Sequence, residues 1–548
     1  MSSAPPAPRT RSLEERVRSL SFWLGAAAVA AGVCLHLPMF FGSASMHYLL
    51  SGMPIDALMV IGMVLIGAGL VAVVFGLLPT HEERRRRTQQ DVSVTALDDT
   101  KLSRTHLLLV LTLVVAIAID TMKPFTFTFI LPGVASEYHL SSPGHKVPGA
   151  LPVALYPFVA IIGTVIGSLL WGYAADRLGR RTAILMAAIL FMSTAICGAM
   201  PAFELNLVMC FFMGVSAGGL LPVAYALLTE TTPARNRGQL VVLVAGIGTG
   251  VGFALTGALA GWLIPMFSWR IMWFFGLPTG GLVILMSRYL PESPRFLIEN
   301  GRAEEARRVM ARFGVRLVAN DEAAAVPRAA PRTSLLGLSR QRVIAITVAL
   351  TLYGLAWGVV NFGFLTWLPT DVTRHGQSIA HVSGLITDAS LFSLPGCVVV
   401  SFLYGRWSSK WTMVLVAALS AIALIGFALA GEGVARNTAA FVALLVCLLI
   451  AFWGVISVLS PYSAEVYPTR LRARGAGLAA GASKLGGVIA LGMAVSGIAP
   501  PALGGAAGLC AGAMGIAAVA IGATGIETRR RRLEDIVAEP VTAAPLAV

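Results

Sequence analysis

The sequence predicts an all-α membrane protein of about fourteen transmembrane helices, built as two six-helix bundles plus an extra N-terminal two-helix hairpin. Composition is the first reason: of 548 residues 56% are hydrophobic and 12% charged, and the mean hydropathy is +0.78, whereas an ordinary soluble domain carries about 25% charge. The second is that the apolar residues come in runs of roughly 20, the length of one bilayer crossing, and a chain in lipid satisfies its backbone by forming helices. The third is a long-range repeat. Glu230, Pro233, Arg235 and Arg237 recur as Glu465, Pro468, Arg470 and Arg472, displaced by 235 residues.

Taken in order, the runs lie near 20–41, 56–79, 106–131, 149–173, 182–201, 206–229, 240–265, 270–290, 343–369, 379–404, 412–430, 438–463, 474–498 and 502–524. Lys and Arg near span ends stay on the cytoplasmic side. Arg9 to Arg18, Arg84 to Arg87, Arg177 to Arg181, Arg235/Arg237, the segment from Arg288 to Arg342, Arg406/Lys410, Arg470 to Arg474 and Arg529 to Arg532 all fall on one side of this count. The alternate loops hold only a lone Lys146, Arg270, Arg374 or Arg436. A multi-pass protein of the inner or plasma membrane with both termini cytoplasmic is therefore expected. The formal charge of +14 is spread over these short turns, so topology and contact with anionic lipid account for it and nucleic acid is not an expected partner. The polar, Arg-rich start leads into a long first span without a clear small-residue cleavage site, which points to a retained anchor rather than a cleaved signal.

The repeat divides the chain. Residues 1–104 form a tail and accessory hairpin, 105–290 the first six-helix bundle, 291–342 a cytoplasmic linker with a short helix, 343–525 the second bundle and 526–548 a cytoplasmic tail. In the linker, Ser293-Pro294 is a cap followed by Pro at the first helical position, and Ala323–Pro331 has the composition of a flexible connection. Paired halves with a site near the midplane are an alternating-access architecture. The hairpin is read as accessory, a partner-binding or lipid-packing element whose one chemical group is His36.

Between the fourth and fifth runs stands Gly172-x-x-x-Asp176-Arg177-x-Gly179-Arg180-Arg181, with a weaker copy at Gly405-Arg406-Trp-Ser-Ser409-Lys410, displaced by 233 residues. This spacing resembles the loop joining helices two and three of major facilitator superfamily transporters, a resemblance covering roughly residues 105–535. Pro291-Glu-Ser-Pro-Arg-Phe-Leu297 is similar to the sugar-porter and organic-ion branches, as is the close from Gly525 to Glu534. The resemblance implies that Asp176 caps a partner helix or pairs with an Arg, and that Arg177 and Arg181 bridge neighbours. Gly172, Asp176, Arg177, Gly179, Arg180, Arg181, Glu230, Arg235, Arg237, Glu465, Arg470 and Arg472 are read as the cytoplasmic gate, with ion pairs that break as that side opens.

Charges within a span cost about 2.5–3.5 kcal/mol at its centre, so the few present are the site candidates. Asp120 and Lys123 lie near mid-bilayer in the third run, where an i,i+3 spacing lets them neutralise each other; they are a structural pair or a proton and substrate site. The segment resembles the first core helix of nicotinate and aromatic-acid proton symporters, which carry Asp-x-x-Asp and then a Pro. Asp120 and Pro132 match, and Lys123 departs from the second Asp. In the same symporters an Arg precedes Leu-Gly-Gly where this chain has Lys484-Leu-Gly-Gly487. The resemblance makes Lys484 a ligand for a substrate carboxylate; as an isolated residue it is equally a packing or snorkelling lysine. Asp388 is a second candidate proton carrier or a cavity-lining group. Tyr353, Trp357 and Asn361 are candidate substrate contacts, and Trp367 is read as an interfacial belt residue.

Some function classes are excluded. The six cysteines lie within apolar runs without Cys-x-x-Cys spacing, so neither a metal site nor a disulfide framework is expected. Gly246-x-Gly248-x-Gly250-x-Gly252 lies inside a span and reads as helix packing, and the chain has no phosphate loop. No cofactor, metal or catalytic residue is expected, and the chain is not read as an enzyme. The expected function is proton-coupled uptake of a small organic anion or related metabolite by alternating access. The alternatives are proton-driven efflux of drugs or metabolites and a non-transporting membrane sensor; the missing Gly-Pro pair of the drug antiporters favours uptake.

Overall fold

The computed structural model describes residues 13–78, 100–142, 145–233, 235–315, 340–374, 376–431, 433, 437–467, 472–498 and 503–528. Among them are 14 helical spans long and apolar enough to cross a membrane, of which the fifth runs on through a 3-10 turn to Ala199 and the eighth covers Ile271–Tyr289. We number the main α-helical segment of each span α1 (Leu13–Cys34), α2 (Ala57–Leu77), α3 (Arg104–Glu137), α4 (Leu155–Leu178), α5 (Arg180–Ser193), α6 (Phe203–Thr231), α7 (Arg237–Phe267), α8 (Gly276–Met286), α9 (Arg340–Val360), α10 (Ile379–Arg406), α11 (Ser409–Ala430), α12 (Thr438–Val466), α13 (Arg472–Val495) and α14 (Leu503–Thr524). The linker carries two short helices, Pro294–Glu299 and Ala303–Arg312, and Ser293 caps the first by accepting from the Phe296 N–H at 3.3 Å. The Ala323–Pro331 stretch, Arg84–Arg87, Arg470, Arg9, Arg11 and Arg529 to Arg532 lie outside the described residues.

The two halves use one pairing scheme. In the first, α3 packs on α7, α4 on α6 and α5 on α8; in the second, α9 packs on α13, α10 on α12 and α11 on α14. Across the halves α7 meets α10 and α4 meets α13. The glycines of α7 set this distance. A Cβ at Gly246 would stand 3.2 Å from that of Cys397 on α10, and one at Gly248 would stand 2.8 Å from Ile117 on α3. Small residues thus let one helix approach partners on two sides.

For orientation, the end bearing the Gly172–Arg181 turn is called the motif end and the opposite one the far end. The α7–α10 contact runs the full length, from Ser401 Oγ donating to Gln239 O (2.8 Å) at the motif end to Gly261 against Ser383 at the far end. By contrast α4 and α13 touch through Ile161 with Gly487 and Phe158 with Gly492, in their far-end halves.

The accessory hairpin belongs to the first half. Along α1 and α2 glycines recur every seven residues, Gly25 and Gly32 against Gly69 and Gly62, and a Cβ at Gly69 would stand 2.7 Å from the Gly25 carbonyl. Phe22, Ala26, Val29 and Val73 join a buried cluster with Ala183, Ile184 and Ala187 of α5. His36 is fully buried with Nδ1 2.8 Å from Gly32 O. Between the two helices, the Leu50 and Ser51 N–H groups donate to Glu137 Oε1 at 2.8 and 3.0 Å. Glu137 is also paired with Arg270 at 2.6 Å, and the Trp269 indole N–H donates to its other oxygen at 2.8 Å. Arg270 completes its fork on the Met200 carbonyl (2.8 Å) and the Tyr138 hydroxyl (2.8 Å). The lone Arg270 of the sequence is therefore half of a fully buried, fully bonded ion pair.

Candidate functional site

A cavity of about 230 Å³ lies between the halves at mid-depth. The first half contributes α3, α4, α6 and α7 to it, the second α9, α12 and α13. Two of its walls are interrupted by proline. Pro124 in α3 and Pro222 in α6 lack an N–H, which releases the carbonyls four residues earlier, at Asp120 and Gly218, from the helical ladder. On α9 the helix widens into a π turn over Asn361–Leu365, a local geometry common at functional sites. It sets Asn361 and Phe362 on the cavity wall.

Asp120 and Lys484 both line this cavity, one from each half. Asp120 is 2% exposed, and its Oδ2 is buried without a hydrogen-bond partner among the described residues. Trp357 adds a second unpaired polar group: its ring stacks on Phe452 (5.2 Å between centroids, 10° between planes) while Nε1 is buried without a partner. Thr164, Tyr225 and Ser460 line the same space. Sequence reasoning missed these, because uncharged polar residues are common in spans and their spacing carries no distinguishing signal.

The cavity extends from Thr164 and Asn361 towards Ser463 and Ala476, that is, towards the motif end. On its far-end side three aromatic rings close it: Phe125 and Phe253 are 4.8 Å apart, and each lies 5.4 Å from Trp453. Phe125 and Phe253 belong to the first half and Trp453 to the second, so this plug joins the halves.

Several expected site residues stand elsewhere. Lys123 does not line the cavity. Three residues turn an α-helix by about 300°, and that rotation aims Lys123 at α5, where its ammonium meets the Phe191 carbonyl, the Thr194 hydroxyl at 2.7 Å and the Phe191 ring at 4.2 Å. Tyr353 is fully buried with its hydroxyl donating to Met413 O at 3.2 Å, a contact that holds α9 against α11. Asp388 is exposed on the outer face of α10 one turn from the exposed Leu391 and Phe392, so the burial expected of a proton carrier is missing there. Trp367, expected at an interface, is 7% exposed. Cys34 and Cys447 lie on exposed faces; the other four cysteines are buried.

At the motif end Gly179 separates α4 from α5 with φ +103°, a region that glycine enters freely. Arg180 pairs with Glu230 at 3.0 Å and with Asp176 at 3.0 Å, and donates to the Ala175 carbonyl at 2.7 Å. Arg177 lies over the Tyr173 ring at 4.5 Å. Glu292 of the linker accepts the N–H groups of Arg180 (2.7 Å) and Arg181 (3.3 Å), capping α5. The same device recurs 235 residues on, where Glu527 accepts from the Ser409 N–H at 3.0 Å at the start of α11. That third pair completes the repeat and went unread in the sequence. Glu465 accepts from Tyr404 (2.8 Å) and Thr528 (2.6 Å), and the first half comes close to it at Gly238, beside Arg237, where a Cβ would stand 2.7 Å from Glu465 Oε1. Gly172 lies in α4, Arg235 is exposed, and Arg472 opens α13.

A family model described as the Major Facilitator Superfamily matches residues 113–491. The niacin transporter of Acinetobacter baylyi is 29% identical over 338 residues, covering 61% of this chain and 75% of that protein. The 4-hydroxybenzoate transporter of the same species is 28% identical over 405 residues, 72% of this chain and 85% of that one. Among solved structures, the proton:xylose symporter XylE of E. coli superposes with a TM-score of 0.63 at 18% identity, over 80% of this chain and 99% of its own. The family match begins after α2, so the hairpin lies outside it.

Proposed function

Since the chain belongs to the major facilitator superfamily, a family of membrane transporters and not of enzymes, we propose that it takes up a small aromatic carboxylate together with protons by alternating access. The observation that carries this reading is the pair Asp120 and Lys484, of opposite charge and from opposite halves, facing one cavity in which an Asp120 oxygen has no hydrogen-bond partner. While Asp120 is ionised, it neutralises Lys484. A proton on Asp120 releases the Lys484 charge for the carboxylate of a substrate, so proton and anion bind cooperatively. The Trp357 indole N–H offers the carboxylate a neutral donor, and Asn361 an amide. Phe125, Phe362, Tyr225 and Trp357 supply the ring-shaped apolar walls.

Size agrees with this class. A cavity of about 150 Å³ holds benzene, and 230 Å³ leaves room for one ring with a carboxylate. The names of the niacin and 4-hydroxybenzoate transporters favour the same chemistry. With the motif end cytoplasmic, as its basic residues argue, the cavity reaches towards the cytoplasm and the Phe125–Phe253–Trp453 plug closes the outer side. Opening to the outside requires that plug to part and the Arg237–Glu465 side of the molecule to rearrange.

The test is uptake of radiolabelled nicotinate and 4-hydroxybenzoate into proteoliposomes under an imposed inward proton gradient. Accumulation above equilibrium that collapses with a protonophore is expected. Accumulation only when the gradient is reversed would replace uptake with efflux, and no gradient-dependent flux of either acid would overturn the reading.

A further inference from the structure

At the motif end a second cavity, of about 590 Å³, lies where three parts of the chain meet: the ends of the accessory hairpin, the turn between α4 and α5, and the two linker helices. Five arginines line it, Arg18, Arg181, Arg288, Arg302 and Arg312, against the carboxylates of Glu292 and Glu305. Both acids already have partners. Glu305 holds Arg302 at 2.7 Å, and Glu292 accepts three backbone N–H groups, from Arg180, Arg181 and Ser293. Arg18 is taken by Glu14 at 3.0 Å.

Arg181, Arg288 and Arg312 remain. All three are exposed and none has a carboxylate within salt-bridge distance among the described residues; Arg181 feels the charge of Glu292 as well as that of Arg312, and Arg288 lies over the Tyr289 ring at 4.7 Å. Unpaired guanidiniums converging on one cavity create a site for an anion with several acceptor oxygens. The remaining wall is apolar: Leu77 and Leu78 from the hairpin, Leu178 from α4, and Leu290, Leu297 and Val309. The cavity also lies at the ends of α1, α2, α4, α5 and α8, the level at which the spans leave the hydrocarbon.

We propose that this cavity binds the phosphate headgroup of an acidic phospholipid. Arg181, Arg288 and Arg312 hold the phosphate, and the leucines of the hairpin and α4 cover the glycerol and first methylenes. Basic pockets between spans on the cytoplasmic side are suited to such headgroups. Inorganic phosphate shares the charged chemistry but has nothing to place against the leucines. The hairpin thereby gains a role, since it forms one wall, and a bound lipid would touch the turn of which Arg181 is part. This site depends on the transmembrane placement and not on the substrate or proton assignment.

The experiment uses the full-length protein in detergent, titrated with phosphatidylglycerol, phosphatidylcholine or inorganic phosphate and followed by native mass spectrometry and melting. Phosphatidylglycerol should remain bound and raise the melting midpoint, and phosphatidylcholine should do neither. Arg288→Gln combined with Arg312→Gln should weaken phosphatidylglycerol binding about thirtyfold, the equivalent of about 1 kcal/mol per cation removed, with the lipid-free melting midpoint unchanged. Arg307→Gln, on the same linker helix but outside the cavity, should bind as the unmodified protein does. Each single substitution should cost about fivefold, which keeps the test available if the double variant does not fold. Equal binding by the double variant and the unmodified protein would overturn the site. Inorganic phosphate protecting as well as phosphatidylglycerol at equal phosphate concentration would overturn its assignment to lipid. Binding is read without transport, so failure of the uptake experiment leaves this result standing, and the reverse.

Discussion

Asp120 and Lys484 lie in different halves of the chain, and each has meaning only beside the other. Replacing Asp120 with Asn fixes the neutral form of that side chain. Asp120→Asn should bind the substrate anion with an affinity that no longer varies with pH, and should exchange substrate without accumulating it; pH-dependent binding retained in that variant would remove Asp120 from the coupling step. Lys484→Ala should weaken binding by about tenfold to a hundredfold, the range for a hydrogen bond to a charged group, and Lys484→Arg should restore most of it. Lys123 provides the contrast. Its ammonium is enclosed by Phe191 and Thr194, so its truncation should lower the melting midpoint and act on substrate affinity only through folding. The sequence marks all three as costly charges in lipid. It does not say which way each points, because Asp120 and Lys123, three residues apart, still differ by about 60° around the helix axis.

At the scale of elements, the α4–α5 joint is set by Glu292. Burial raises its carboxyl pKa above the ordinary value of 4.5 although three N–H groups and Arg302 favour the ionised form. The native state therefore holds this proton more tightly than the unfolded chain, and the stability Glu292 contributes is complete below the unfolded value and is lost as pH rises through the native one. Glu292→Gln keeps an acceptor oxygen for the N–H groups and removes the ionisation. The variant should melt no lower than the unmodified protein at neutral pH and should lose the part of the decline in stability above pH 4.5 that belongs to this group, measured by thermal denaturation in detergent. The α1–α2 hairpin is tighter still. Gly69→Val would drive a side chain into the Gly25 carbonyl, an overpacking of about 1–3 kcal/mol, visible as loss of hairpin protection in hydrogen exchange. Glycines spaced by seven residues were present in the sequence, but only their facing partners on the other helix show that they are a contact.

For the whole molecule the contrast lies between a continuous α7–α10 seam and an α4–α13 seam whose glycine contacts, among the described residues, lie towards the far end. A body joined in this way has one side along which the halves are parted and a plug of three aromatic rings that holds the other. Trp453→Ala removes the second half's share of that plug. It should raise labelling of a cysteine placed at Ser460 by a membrane-impermeant reagent applied from outside, and an unchanged labelling rate would show that the plug is not the outer barrier. The buried Glu137–Arg270 pair anchors the hairpin to the first half. Glu137→Ala leaves Arg270 charged and buried, a loss of about 3–5 kcal/mol, and the hairpin should become susceptible to proteolysis in its connecting loop.

The fourteen spans, the linker helix start at Ser293 and the two-half repeat were determined by the sequence itself, because hydropathy, capping and spacing are local quantities written in consecutive residues. The family resemblance was also carried by a ten-residue motif that needs no partner to be recognised. Only the tertiary structure decided that Lys484 and not Lys123 shares a cavity with Asp120, and that Tyr353 and Asp388 stand apart from it. It also decided that Arg270 has a buried partner, that Glu292 and Glu527 do the same work in the two halves, and that five arginines from the hairpin, the α4–α5 turn and the linker region line one cavity. These are facts of rotation about a helix axis and of packing between helices, where a shift of 100° per residue exchanges a cavity wall for a helix contact without altering the hydropathy of the span.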